Sequence, residues 1–187
     1  MVTYQNRKGQ TYYLKQGVTK TGKLRYYAST NRNKGMNASA MPESCEFREN
    51  VNGQVSFGKI QPRHIEDTEL DIIRPILEQL EVANRTEIKG KSIIVHTSHV
   101  GEGLKDSPFF SSKRAALEWA RETAAFYQPM LKFTLFNPEK QTYQTERKCF
   151  MSGMDWLLIG EMAPLQELAC KYIPLLDDED ALFEEVY

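Results

Sequence analysis

Short segments rich in aromatic or alternating apolar residues are bounded by Gly, Asn or Pro, a pattern typical of β-strands joined as hairpins. The first hairpin is predicted from tyrosine-rich strands at 11–14 and 24–27. The second is predicted from 45–48 and 55–58 around Asn52-Gly53, because both positions of this dipeptide tolerate a positive φ. The third joins 130–136 to 143–150. Residues 31–41 show no periodicity and are predicted to form a loop.

Apolar residues at a spacing of three and four predict helices near 68–82, 112–127 and 164–172, with a further short amphipathic helix at 178–186. Thr68 is the expected cap of the first helix, and Pro75 is expected to kink that helix or delay its regular part. Strands are predicted at 86–89 and 92–95. The second of these contains three consecutive β-branched residues and is expected to be central and covered on both faces.

Together these elements predict an α+β fold, with a mostly antiparallel sheet built from hairpins and about three packed helices. The composition changes near Pro62, from basic and strand-like to acidic and helix-containing. We therefore expect a basic N-terminal part at 1–62 and an acidic α+β part at 63–187. No low-complexity linker separates them, so we expect the two parts to pack as one compact unit.

The chain's net charge of -1 conceals a strong asymmetry. Residues 1–40 contain eight Lys and Arg and no Asp or Glu, a charge of +8, whereas the other 147 residues carry 16 basic and 25 acidic side chains, a charge of -9. A strongly basic segment favours an anionic partner, above all nucleic acid. The alternatives are that it packs on the chain's own acidic surface or is simply solvated.

Several sequence pieces, spread over most of the chain, resemble an uncharacterised family of bacterial proteins to which no activity is assigned. They lie at 12–15, 19–23, 25–27, 42–43, 46–50, 52–55, 127–130, 147–150 and 155–156. The resemblance implies a bacterial origin and no particular function. The first hairpin alone also resembles the small three-stranded DNA-binding modules at the front of phage-type integrases, through an aromatic strand, a Lys-rich turn with Gly and a second aromatic strand.

The first hairpin carries the candidate nucleic-acid site. Adjacent tyrosines on a strand point to opposite faces, so one of each pair is expected to face solvent and offer a ring to a base. The neighbouring cations can contact phosphates. The candidate site residues are Tyr13, Lys15, Lys20, Lys23, Arg25 and Tyr27. The competing interpretation is that the tyrosines pack across strands and the lysines occupy an exposed turn.

Other chemistry has less support in the sequence. His96, His99 and Glu102 are metal-ligand types within seven residues, but a strand would direct the two imidazoles to opposite faces, and two ordinary loop histidines are expected instead. No Walker loop, GxSxG, GxGxxG or HExxH motif is present, so we expect no cofactor and no recognisable catalytic centre. An enzyme is the third of three functional hypotheses.

The second hypothesis is a protein-interaction or regulatory module. The acidic C-terminal tail places Leu176, Leu182, Phe183 and Val186 among carboxylates, a pattern that could dock on a partner protein or a second copy, or cover its own core. No apolar run approaches the about 20 residues of a membrane span, so no membrane partner is expected. Three cysteines without a CxxC pair indicate buried thiols in a reducing compartment, the cytoplasm.

Overall fold

The computed structural model describes residues 1–98, 108–123, 126–150 and 155–184. Within this part of the chain the fold is α+β with mostly antiparallel sheets, as the sequence predicts, and strands are more abundant than helices. The chain divides into two compact units, Met1–Pro62 and Arg63–Tyr187, at the position where the composition changes. We call them the N-terminal and C-terminal units.

The N-terminal unit contains a four-stranded sheet and a separate two-stranded hairpin. The strands of the first sheet are β1 (Thr3–Gln5), β2 (Thr11–Val18), β3 (Leu24–Ser29) and β4 (Met36–Asn37), and the hairpin consists of β5 (Cys45–Glu49) and β6 (Val55–Lys59). The hairpin turns at Asn52-Gly53, as predicted, and Gly53 has a φ of 78°. Neither β1 nor β4 is predicted by the sequence. The latter interrupts the predicted 31–41 loop.

Strand β2 is the centre of the first sheet. Lys15 on β2 lies opposite Tyr27 of β3 and also opposite Asn37 of β4, so β3 and β4 must occupy its two different edges. The intervening residues 30–35 therefore have to pass across a face of the sheet to reach the far edge. We call residues 30–35 the crossover segment.

The C-terminal unit is a five-stranded antiparallel sheet in the order β11-β10-β9-β8-β7. Its strands are β7 (Ala83–Lys89), β8 (Ser92–Ser98), β9 (Gln128–Asn137), β10 (Thr142–Lys148) and β11 (Trp156–Pro164). Its helices are α1 (Asp67–Gln79), α2 (Lys113–Thr123), α3 (Leu165–Tyr172) and α4 (Glu179–Glu184), with a short 3₁₀ helix at Pro174–Asp177. Strand β8 is interior and buried, as its β-branched run predicts.

Helices α1 and α3 cover one face of the five-stranded sheet. The main core lies between these helices and the sheet. Ile73 of α1, Val95 of β8, Phe133 of β9 and Ala169 of α3 are all completely buried in this core. Helix α1 begins one residue before the predicted 68–82 range and ends at Gln79, and its cap lies two residues before the expected Thr68. Its cap is Glu66, whose backbone N–H donates to the Glu69 carboxylate at 2.9 Å, and the helix continues through Pro75.

Helix α2 lies beside β7, where the guanidinium of Arg85 donates to the carbonyl of Arg121 at 2.6 Å. The hydroxyl of Tyr127 donates to the same carbonyl at 2.8 Å, and the Arg85 guanidinium lies 5.0 Å from the Tyr127 ring centroid. Among the described residues, no helix combines the length and the apolar character needed to cross a membrane.

Gly160 on the edge strand β11 lies directly against Tyr172 of α3. Its φ is 67°, and a Cβ atom at this position would overlap the hydroxyl of the buried Tyr172. Gly160→Ala is therefore expected to lower the free energy of unfolding by about 2–4 kcal/mol, from left-handed strain and overpacking.

The matched control is Gly90→Ala, because Gly90 has a φ of 61° but open space at its Cβ position. The control should lose only the backbone contribution of about 1–2 kcal/mol in urea unfolding. Equal losses for the two variants would contradict the packing account.

Candidate nucleic-acid interface

The register of β2 and β3 places most of the predicted hairpin residues on one face of the first sheet. Lys15 lies opposite Tyr27, Gly17 lies opposite Arg25, and Tyr13 lies opposite Ser29. Because cross-strand partners share a face and side chains alternate along a strand, these residues all belong to the same face. We call it the basic face.

The other face of this sheet is apolar and packs on the β5–β6 hairpin. The Tyr4 ring stacks on Phe47 with centroids 5.4 Å apart, and Tyr26 meets Phe57 edge-on at 6.4 Å. Phe47 and Phe57 contact each other across the hairpin at 5.2 Å. The basic face is consequently the side of the sheet that points away from the β5–β6 hairpin.

Lys15 does not occupy the exposed position that its predicted role as a phosphate contact requires. Its side chain is completely buried, and its Nζ atom donates to the Arg32 carbonyl and to Asn37 Oδ1, both at 2.6 Å. An ammonium that is buried and held by two acceptors is not available to an external phosphate. Lys15 is therefore not a direct phosphate contact. The local sequence does not reveal this, because both acceptors belong to residues 17 and 22 positions further along the chain.

The remaining predicted cations are exposed. The backbone N–H of Thr19 donates to the Lys23 carbonyl at 2.8 Å, which continues the β2–β3 ladder by one pair. Lys23 therefore belongs to the same face as Arg25 and Tyr27. Lys20 lies in the turn itself, and both lysines are exposed to solvent.

The crossover segment adds two exposed cations, Arg32 and Lys34, which belong to the basic segment 1–40 but not to the predicted site. The side chain of Asn31 shapes the segment by accepting hydrogen bonds from the backbone N–H groups of Asn33 and Lys34, at 3.0 and 3.1 Å. Gly35, with a φ of 80°, passes so close to the Tyr27 hydroxyl that a Cβ would lie 2.9 Å from it. The segment thus lies over the basic face, and its position could not be predicted from an aperiodic sequence.

Tyr13 and Tyr27 lie on the basic face as the alternation predicts, and both are half-buried. The Lys15 ammonium lies 5.7 Å from the Tyr13 ring centroid, and the Arg25 guanidinium lies 5.3 Å from that of Tyr27. A cation thus covers one face of each ring, and at most one face remains for a base. The stacking surface is smaller than the sequence predicts.

Two of the three carboxylates of the N-terminal unit lie on β5, away from the basic face. Ten Lys and Arg against three Glu give this unit a net charge of +7. Glu46 pairs with Arg48 at 3.0 Å, and Glu49 pairs with Arg7 at 3.6 Å while accepting a hydrogen bond from the Tyr4 hydroxyl at 3.0 Å. Two of the three negative charges are therefore engaged on or near β5.

The candidate metal ligands are not brought together within the described residues. His96 is buried on β8, with its Nε2 atom 3.7 Å from the Glu87 carboxylate, while His99 and Glu102 lie outside the described part of the chain. Among the residues that the structure describes, no three potential ligands cluster. Burial lowers the pKa of His96 below its ordinary value of 6.5, so the contact with Glu87 is not an ion pair at neutral pH.

The C-terminal tail places its described leucines in the chain's own core. Leu176 and Leu182 are 2% and 0% exposed and belong to the cluster beneath α1 and α3. These two side chains cover the core, which is one of the alternatives that the sequence left open, and they offer no free face to a partner protein. Val186 lies outside the described residues.

A groove of about 340 Å³ lies between the end of α1 and α2. Its lining carries Glu78, Glu81, Lys113, Arg114 and Arg121, without Ser, Cys or His. Neither the groove nor the cysteines supply a nucleophile paired with a base in the described residues. Cys149 is buried as predicted, whereas Cys45 is half-buried and Cys170 is exposed, so the expectation of three buried thiols is wrong for these two.

The lowered pKa of His96 predicts a pH-dependent stability. Below pH 6.5 the unfolded chain binds a proton at this imidazole while the folded chain resists it, so the free energy of unfolding falls as the pH decreases. His96→Gln should reduce this fall in urea titrations between pH 7 and pH 5. The exposed His64 provides the control, and His64→Gln should retain the wild-type dependence. An unchanged pH dependence in His96→Gln would contradict the assignment.

Comparisons with protein-family models, with curated proteins and with solved structures find no match for this chain.

Proposed function

We propose that this protein binds nucleic acid through the basic face of its N-terminal unit, chiefly by contacts to phosphates. One observation carries the proposal: exposed cations from the β2–β3 hairpin and from the crossover segment are gathered around a single face of one sheet. They are Lys20, Lys23, Arg25, Arg32 and Lys34. The carboxylates of the same unit begin only at Glu43.

Counterion release makes such a surface effective. Each cation that neutralises a phosphate frees a condensed counterion, so the logarithm of the affinity falls linearly with the logarithm of the salt concentration. Five engaged cations would give a slope of about -3.5 on a single strand, at about -0.7 for each phosphate.

Sequence discrimination should be weak at this site. Phosphate contacts position a ligand but carry no direct sequence information. The amide oxygen of Asn31 is already used within the crossover segment, and Tyr13 and Tyr27 each have one ring face covered by a cation. Stacking on the free ring faces would add about 1–3 kcal/mol per base, without selecting a particular base.

A reducing compartment such as the cytoplasm is consistent with this proposal. All three cysteines are free thiols, and Cys170 is exposed, so an oxidising environment would leave it open to intermolecular disulfides.

Replacing Lys20, Lys23 and Arg25 by Gln should reduce the salt slope on an oligothymidylate strand by about 2, because three counterion-releasing contacts are removed. The fold should survive, since exposed substitutions of this kind usually change stability by less than about 0.5 kcal/mol each. The measurement is fluorescence anisotropy over a series of salt concentrations, with a duplex of the same length as a second probe.

The matched control removes the same charge from the C-terminal unit, by replacing the exposed Lys89, Lys91 and Lys140 with Gln. This control should leave the slope near its wild-type value. If the wild-type protein binds neither probe at low salt, or if both triple variants reduce the slope equally, the proposed interface is wrong.

A further inference from the structure

We infer that Lys15 is a positioning residue of the proposed interface: its buried ammonium fixes the crossover segment over the basic face and so presents Arg32 and Lys34 to phosphate. The part of this inference that concerns binding rests on the proposed function. The part that concerns the crossover segment itself does not.

The ammonium joins three separate places in the N-terminal unit. It comes from the central strand β2, and it donates to the Arg32 carbonyl in the middle of the crossover segment and to Asn37 on β4, where that segment ends. Both distances are 2.6 Å, and in both bonds the donor is a charged ammonium. Hydrogen bonds with an ionised donor are stronger than those between neutral groups. One side chain therefore anchors the segment at its centre and at its end.

An apolar residue would be the simpler occupant of a fully buried strand position. Burying an ammonium costs free energy unless hydrogen bonds satisfy it, and here the acceptors are a main-chain carbonyl and an amide oxygen rather than a carboxylate. What the ammonium adds over a methylene chain of similar length is directional bonding to the crossover segment. This bonding is the physical reason to assign it a positioning role.

The position of the crossover segment determines where two of the five interface cations lie. Asn31 holds the backbone of residues 33 and 34, and Gly35 rests against the Tyr27 hydroxyl. Without the Lys15 anchor, the backbone that carries Arg32 and Lys34 would have to be ordered at the moment of binding. The conformational entropy lost in ordering this segment should weaken binding about five-fold or more.

The first test is a binding cycle on oligothymidylate. Lys15→Met keeps an unbranched, largely apolar side chain of nearly the same length and removes the ammonium, so it should weaken binding at least five-fold in the wild-type background. In the background of Arg32→Gln with Lys34→Gln, the same change should have no further effect, because Lys15 acts only through these two cations. Equal fold-losses in the two backgrounds would show that Lys15 acts independently of the segment and would overturn the inference.

The second test does not depend on nucleic acid. The Arg32 carbonyl that accepts the Lys15 hydrogen bond belongs to the peptide bond that trypsin cleaves after Arg32. In Lys15→Met, cleavage of the full chain after Arg32 and Lys34 should become at least several-fold faster, as followed by mass spectrometry. Cleavage after Lys23, in the same unit but in the β2–β3 turn, should keep its wild-type rate.

A milder variant covers the case in which Lys15→Met unfolds the unit and accelerates cleavage after Lys23 as well. Asn37→Ala removes only one acceptor, on an exposed residue, and should accelerate cleavage after Arg32 to a smaller extent with Lys23 unaffected. The inference is wrong if Asn37→Ala leaves cleavage after Arg32 unchanged and Lys15→Met either leaves that cleavage unchanged or accelerates cleavage at every site alike. This result would leave the proposed function intact. Absence of wild-type binding would instead reject the proposed function, and the proteolysis would still test the anchor.

Discussion

Four aromatic rings determine how the N-terminal unit presents its charges. Tyr4 contacts Phe47 and Tyr26 contacts Phe57, with ring centroids 5.4 and 6.4 Å apart, and Phe47 contacts Phe57 at 5.2 Å. These contacts join the first sheet to the β5–β6 hairpin. Such aromatic pairs contribute about 0.5–1.5 kcal/mol each beyond the apolar area that they bury. Side chains along a strand point alternately to its two faces. When one face of the first sheet packs on the β5–β6 hairpin, every second side chain of β2 and β3 therefore lies on the other face.

The cations therefore collect on one side as a consequence of packing. The whole chain carries a net charge of only -1, so the proposed attraction to a polyanion would have to arise locally, from the +7 of the N-terminal unit. Exposed charges interact over about 10 Å at 0.1 M salt, so the affinity should depend on the few cations nearest the ligand and on the salt concentration. Electrostatics of this kind gives binding and rapid association more readily than sequence selectivity.

Local patterns predicted the elements whose formation depends on neighbouring residues. The Asn52-Gly53 turn, the β-branched strand β8 and the orientation of Tyr13 and Tyr27 follow from turn chemistry and strand alternation. Strand β11 was missed because Trp156–Pro164 begins as a continuous apolar run and is interrupted by Gly160, so it lacks a period of two. The three-residue β1 is too short to give a pattern.

The candidate site was only partly predictable for a related reason. Lys20, Lys23 and Arg25 occupy a turn and a strand, and their exposure follows from position. The burial of Lys15, and the placement of Arg32 and Lys34, depend on a segment that crosses the sheet and returns to β2 from the opposite edge. Contacts between residues so far apart in the sequence leave no periodic signal. Only the three-dimensional arrangement shows that Lys15 is buried and holds the crossover segment, while the other lysines of the basic segment are exposed to solvent.

The central claim is that the basic face, and no other surface, contacts nucleic acid. Acetylation of each lysine with a water-soluble reagent, measured by mass spectrometry with and without saturating oligothymidylate, tests it most directly. The account predicts protection of Lys20, Lys23 and Lys34, unchanged reactivity at Lys89, Lys91 and Lys140, and a slow reaction at Lys15 in both states because its side chain is buried. Protection confined to the lysines of the C-terminal unit, or bound oligothymidylate with no protection at Lys20, Lys23 and Lys34, would contradict it.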